Sequence, residues 1–296
     1  MRVRRSWSLI SACALACLLL VPALAAAQEA EEQKFDPSLE FSTDPYVSIE
    51  LGPLDLSINK AVVYLLLASA ICIGFGLFVV RGGLRQRPTG AQNLFELAYE
   101  FAERQIARPT LSEKVFSRYF PYLATLFLFI AVSNLISFIP LPVSHESGTF
   151  PFGIPDFGLY AATANINVTL ALTLVTFIAY NYEGVRAHGL GGYAKTLVPD
   201  APGAIKPLIA ALEILSQLLR LVSLSVRLFA NLLAGHLLII MCAGFTILLG
   251  NYAGLIAIPV GVFFYVFEWL LIAGLQAFIF AMLSGIYIGF AVQAPH

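Results

Sequence analysis

The stretch at residues 208–249, LIAALEILSQLLRLVSLSVRLFANLLAGHLLIIMCAGFTILL, decides the architecture of this chain. It is 42 mostly apolar residues long and carries three charges, Glu213, Arg220 and Arg227. A single α-helix of that length would run about 63 Å, twice the roughly 30 Å of bilayer hydrocarbon. It is therefore either one long tilted or bent helix, or two short crossings with a turn near 227–231, where Arg227 would sit at the headgroups. No Pro or Gly stands between 208 and 234 to break the helix at that turn, and we read the stretch as one continuous tilted helix. Residues 255–290 are overlong in the same way at 36 residues, which predicts a second tilted helix pairing with the first as a membrane-embedded hairpin.

The rest of the chain agrees with a bilayer as its solvent. Hydrophobic residues make up 59% of the 296 and charged residues 12%, against roughly 45–50% and about 25% in soluble domains. Residues 119–182 contain no Lys or Arg and only two acids, Glu146 and Asp156. A net charge of −1 excludes a nucleic-acid binder that works through a basic surface. Four scattered Cys and four scattered His offer no metal-ligand spacing, and no phosphate-binding loop, nucleophile elbow or zinc-protease motif is present. No cofactor is expected, and nothing points to an enzyme acting by itself.

Residues 1–27 have the layout of a signal peptide, with three early Arg, an apolar stretch and small residues at Ala23, Ala25 and Ala27. Residues 28–60 hold eight acids and two bases, a solvated segment expected on the periplasmic side. The membrane domain then occupies 61–296. Its first crossing is 61–80, retained on the cytoplasmic side by Arg81, Arg85 and Arg87. Residues 93–108 follow as an amphipathic interfacial helix, with Leu94, Phe95, Leu97, Ala98 and Phe101 at helical spacing. Residues 119–140 make the second crossing, and 167–182, extended backward through 161–164, the third. Arg186, Lys195 and Lys206 return the chain to the cytoplasm, and the C-terminus is expected there too. The expected fold is all-α, with about five transmembrane helices; a sixth arises only if the long stretch folds back.

A charge at the centre of a membrane helix costs about 2.5–3.5 kcal/mol on insertion scales, so such residues normally face a partner or a water path. Glu213, Arg220 and Arg227 recur every seven residues, nearly on one helical face. Asn231 lies one turn beyond Arg227, whereas His236 is nine residues on and points to roughly the opposite side. Glu268 and Gln276 are the strongly polar groups of the last apolar region. Two acids, a histidine and two amides suit a proton relay, because burial and mutual interaction move their proton affinities. The guanidinium of Arg227 stays protonated and so holds or repels charge while the others titrate.

The string SLSVRLFANLLAGHLL at 223–238, with LQAFIF at 275–280, resembles the a subunit of the rotary F-type ATP synthase. PTGAQNLFELAYEF at 88–101, NINVTLALTL at 165–174 and GLGGYAK at 189–195 extend the similarity over most of the chain. The resemblance implies a proton-translocating stator subunit of the Fo sector in a bacterial inner membrane. Its partners would be the c-subunit ring, the b subunits of the peripheral stalk, the remaining synthase subunits and lipid. It implies two offset aqueous half-channels, with Arg227 facing the ring carboxylates, Asn231, His236, Glu213, Glu268 and Gln276 on the proton path, and Arg220 and Ser223 in support. One departure stands out. The family commonly separates the last-helix ionisable group from the glutamine by seven residues, whereas Glu268 and Gln276 are eight apart. In a regular helix that turns Glu268 about 100° away, so a His236–Glu268 pair requires a bulge.

Two other functional classes fit the sequence less well. A secondary transporter or ion channel could use Arg227 to bind an anionic substrate, but should carry an internal repeat, and the two overlong regions share no polar pattern. An intramembrane enzyme using Glu268 and His236 would need a nucleophile or metal set that the sequence lacks.

Overall fold

The computed structural model describes residues 48–51, 54–55, 57–83, 86, 90–139, 160–196, 205–248 and 251–292. The expected signal peptide, most of the acidic segment, Arg85, Arg87, Glu146 and Asp156 lie outside these residues. The described chain opens on a two-residue antiparallel pairing of β1 (Glu50–Leu51) with β2 (Leu54–Asp55), in register Glu50 to Asp55. The described elements after it are all helices, and among the described residues five helices are long and apolar enough to cross a membrane.

Helix α1 (Lys60–Arg81) starts where Asn59, in extended conformation, accepts a hydrogen bond from the Val62 amide at 3.1 Å and so satisfies one orphan donor of the first turn. It ends at Gly82, whose N–H returns to the Phe78 carbonyl, with Gly83 in the left-handed region behind it. Helix α2 (Ala91–Phe101) continues through a π-helical segment, Ala102–Ala107, and a last α turn, Arg108–Thr110. Its apolar residues divide between two directions. Phe95 meets Phe75 of α1, and Ala102 and Ile106 enter the bundle, while Leu94 and Leu97 stay exposed, as suits a helix lying along an interface.

Helix α3 (Glu113–Ile136) begins six residues before the expected second crossing. The added turns bring Arg118 alongside Tyr119 to the buried carboxylate of Glu183, which gives charged residues outside the apolar run a reason to be helical. The third crossing, α4, runs Ile166–Thr196. It does not extend backward as expected. Residues Ala162–Ala164 form a buried 3-10 turn, because Asn165 is extended and its side chain accepts from the Asn167 amide, starting the helix afresh. Gly189, at φ 73°, kinks α4 near its end, a conformation other residues rarely adopt. Tyr193 beyond the kink then folds back to hydrogen-bond Asn181 at 2.8 Å.

Helix α5 (Lys206–Leu248) is a single uninterrupted helix of 43 residues, as the missing breakers implied. At about 1.5 Å per residue it exceeds the hydrocarbon thickness twofold, so it must slant to keep its apolar length in lipid. The last region is also continuous: α6 (Asn251–Phe267), a π turn at Glu268–Ile272, then α7 (Ala273–Val292). Helices α5 and α6 pack together as a hairpin, and α7 packs against α3 and α4. Leu228, Leu232, Ile130, Ala277 and Phe280 meet in the middle of the bundle, while Tyr64, Ile136 and Tyr160 secure α1 to its edge. The molecule is an all-α, multi-pass membrane protein.

Candidate functional site

Two polar groups sit at opposite ends of α5. At its C-terminal end His236 and Glu268 are each 2% exposed, and His236 Nδ1 stands 3.4 Å from Glu268 Oε1. The same nitrogen lies 3.2 Å from the Leu232 carbonyl. The Phe138 ring covers the imidazole at 5.0 Å between centroids, and the Tyr265 hydroxyl donates to the Phe138 carbonyl at 2.6 Å. Gly235 makes the pair possible. A methyl group there would fall directly on the Glu268 carboxyl.

A regular helix would separate Glu268 from His236 at this spacing, and the bulge that their pairing requires is present. The π turn at Glu268–Ile272 begins on the carboxylate itself, and the Ala273 N–H reaches back five residues to the Glu268 carbonyl. A π turn holds one residue more than an α turn, so eight residues turn through about the angle of seven, close to two full turns. Glu268 and Gln276 consequently face α5 together. Gln276 is buried, and its Oε1 accepts from Asn231 Nδ2 at 2.9 Å, while Glu268 meets His236. Trp269, the residue a count of seven selects, is 38% exposed on the outer side.

The second polar atom of each partner, His236 Nε2 and Glu268 Oε2, is buried without a hydrogen-bond partner among the described residues. Buried polar atoms of native proteins are nearly always satisfied, by protein or by water.

Toward the N-terminal end of α5 the arrangement is looser. Glu213 Oε1 accepts from Gln217 Nε2 at 3.2 Å and lies 3.8 Å from Arg220, with both charged side chains about one-third exposed. Tyr180 of α4 donates to Gln217 Oε1 at 2.6 Å, and Arg220 lies 5.8 Å from the Tyr287 ring centroid. An ion pair this open contributes about 0–1 kcal/mol.

Arg227 lies between the two groups along the helix, 14 residues beyond Glu213 and 9 before His236, or about 21 Å and 14 Å of axial rise. It is exposed, as are Ser223 and Asn231, and it makes no hydrogen bond or ion pair with another described residue. His236 is buried on the far side, as the nine-residue spacing implied.

The sequence reading passed over a column of polar residues on α4. Thr169, Thr173, Thr176, Tyr180 and Glu183 are all buried, at alternating spacings of four and three. Thr169 meets Ser225 at 3.1 Å, Thr176 meets Tyr122 at 3.0 Å and Ser284 at 3.4 Å, and Glu183 accepts from Tyr119 at 2.8 Å. The spacing itself was the available signal. Such contacts hold membrane helices together where lipid removes the hydrophobic drive.

The family model described as ATP synthase A chain matches residues 62–289. ATP synthase subunit a 2 of Chlorobaculum tepidum is 34% identical over 262 residues, covering 85% of this chain and 69% of the relative. ATP synthase subunit a of Anaeromyxobacter dehalogenans is 35% identical over 249 residues, covering 82% of this chain and 60% of that longer protein. The subunit a of Brucella ovis is 33% identical over 268 residues, covering 88% of this chain and 99% of the relative. With a match spanning nearly the whole helical bundle, the chain belongs to the ATP synthase A chain family.

Proposed function

We propose that this chain is the proton-translocating stator subunit of an F-type ATP synthase, set beside the c-subunit ring in a bacterial inner membrane and held by the b subunits of the peripheral stalk. The observation that carries the reading is the division along α5: a buried acid–histidine pair at one end, an acid about one-third exposed at the other, and exposed Arg227 between them.

In this reading the His236 end is periplasmic, as is the N-terminus, and the Glu213 end and C-terminus are cytoplasmic. A proton enters past His236 and Glu268, is passed along Gln276 and Asn231, and neutralises a carboxylate on the ring. The neutral carboxyl travels through lipid at far lower desolvation cost than its ion. On its return the fixed charge of Arg227 draws it back toward ionisation, and the proton leaves past Glu213, with Arg220 and Ser223 in support. Arg227 cannot itself release a proton at working pH, so it separates inlet from outlet without joining the relay. Each proton crossing 100 mV supplies about 2.3 kcal/mol, so several must be combined to drive one synthesis step.

The test is Arg227→Ala in the assembled complex, in inverted membrane vesicles. ATP-driven proton pumping should vanish while catalytic heads detached from the membrane still hydrolyse ATP. Coupled pumping that survives the change would overturn the assignment.

A further inference from the structure

The π turn at Glu268–Ile272 sets which residue faces His236, so something must keep the extra residue there rather than elsewhere in the helix. A side chain from α3 reaches the backbone at that point. Asn134 of α3 is fully buried, and its Nδ2 donates at 3.2 Å to the carbonyl of Ala273, the residue that closes the π turn. Its Oδ1 in turn accepts from Thr163 Oγ1 at 2.8 Å, and Thr163 is fully buried in the 3-10 turn before α4. The hydroxyl of Ser137 donates to the Asn134 backbone carbonyl at 2.6 Å. Both ends of the Asn134 amide are thus engaged, which fixes its orientation as well as its place.

We infer that Asn134, oriented by Thr163, is a positioning residue: it holds the π turn in register and thereby holds Glu268 against His236. The inference rests on the proposed proton path, since it assigns Asn134 a role in a pair on that path. The mechanism is geometric. If the wide turn moves past Gln276 toward the C-terminus, Ala273 and Gln276 join the regular helix that begins at Glu268, the Ala273 carbonyl turns about 100° away from Asn134, and Glu268 and Gln276 no longer face α5 together. Side-chain amides that grip a backbone carbonyl from a neighbouring element make such a displacement unfavourable, because the amide would be left buried without a partner.

The inference separates from a plain packing role by a change in chain length. Deletion of Leu270, which is 60% exposed within the π turn, removes the extra residue and lets a regular helix keep Glu268 and Gln276 on one face. The experiment measures ATP-driven proton pumping in inverted vesicles, normalised to the amount of this subunit in the assembled complex. Asn134→Leu should lower pumping about fivefold, the scale of one lost buried hydrogen bond. Thr163→Val, which keeps the amide but releases its orientation, should act in the same direction and less. Introduced into the Leu270 deletion, Asn134→Leu should have little effect, because no wide turn remains to be held. An equal loss with and without Leu270 overturns the inference, as does full pumping in Asn134→Leu. If Asn134→Leu prevents assembly, Thr163→Val with and without Leu270 gives the same decision. Arg227→Ala in the same vesicles reports on the proton path itself, so failure of that reading shows separately from failure of this one.

Discussion

The two ends of α5 use similar residues under opposite conditions. At one end His236 and Glu268 touch in a site from which solvent is excluded, behind the Phe138 ring and against Gly235. At the other, Glu213 and Arg220 stand 3.8 Å apart and about one-third exposed. Water screens and replaces contacts at the open end, so approximate geometry suffices there. In the closed end a charge without its partner is costly, and one residue of helical register decides whether the partner is present. Precision is concentrated where solvent cannot correct an error.

Breaking the closed end should therefore have the larger effect. Gly235→Ala places a methyl group on the Glu268 carboxyl. Overpacking a tight site costs about 1–3 kcal/mol, so vesicle pumping per assembled complex should fall about tenfold or more. Near-normal pumping would show that the pair can part without consequence. A less disruptive change is Glu268→Gln, which keeps the shape and removes the charge. Pumping should drop about tenfold, the scale of a lost hydrogen bond to a charged group, while the thermal midpoint for release of the subunit holds or rises. A fall in both together would mean that the carboxylate serves packing alone. At the open end Arg220→Gln should reduce pumping by less than about threefold and shift the thermal midpoint little, as expected for an exposed pair. Salt sharpens this contrast: raising ionic strength should shrink the Arg220→Gln effect and leave that of Glu268→Gln unchanged, since screening reaches only the open pair.

Much of the fold was legible because lipid imposes strict requirements on the chain. The 61–80 run had the length of one crossing and no charge, and it became α1 almost residue for residue. The long α5 was legible from a lack of breakers. Composition misled at 161–164, where small apolar residues read as helix but Asn165 restarts the chain. It also hid the start of α3, since Glu113, Lys114 and Arg118 look like loop until their neighbours are known.

Within the candidate site, opposite facing of Arg227 and His236 followed from counting along one helix. The facing of Glu268 did not, because it depends on a widened turn. Its spacing showed only that a bulge was needed, and its location is bound up with contacts from α3 and the 3-10 turn, distant in sequence. The hydroxyls of α4 escaped notice for a related reason: threonine in an apolar run reads as membrane filler until its partner on another helix appears.

The widened turn also frees the last helix from its own residue count. An insertion in a rigid rod would rotate every group upstream of it, yet here one loop of backbone takes up the added length and both flanks keep their aim. A version of this helix one residue shorter across the turn would keep both flanks pointed as they are, so what a group faces says more about its part than its ordinal position does.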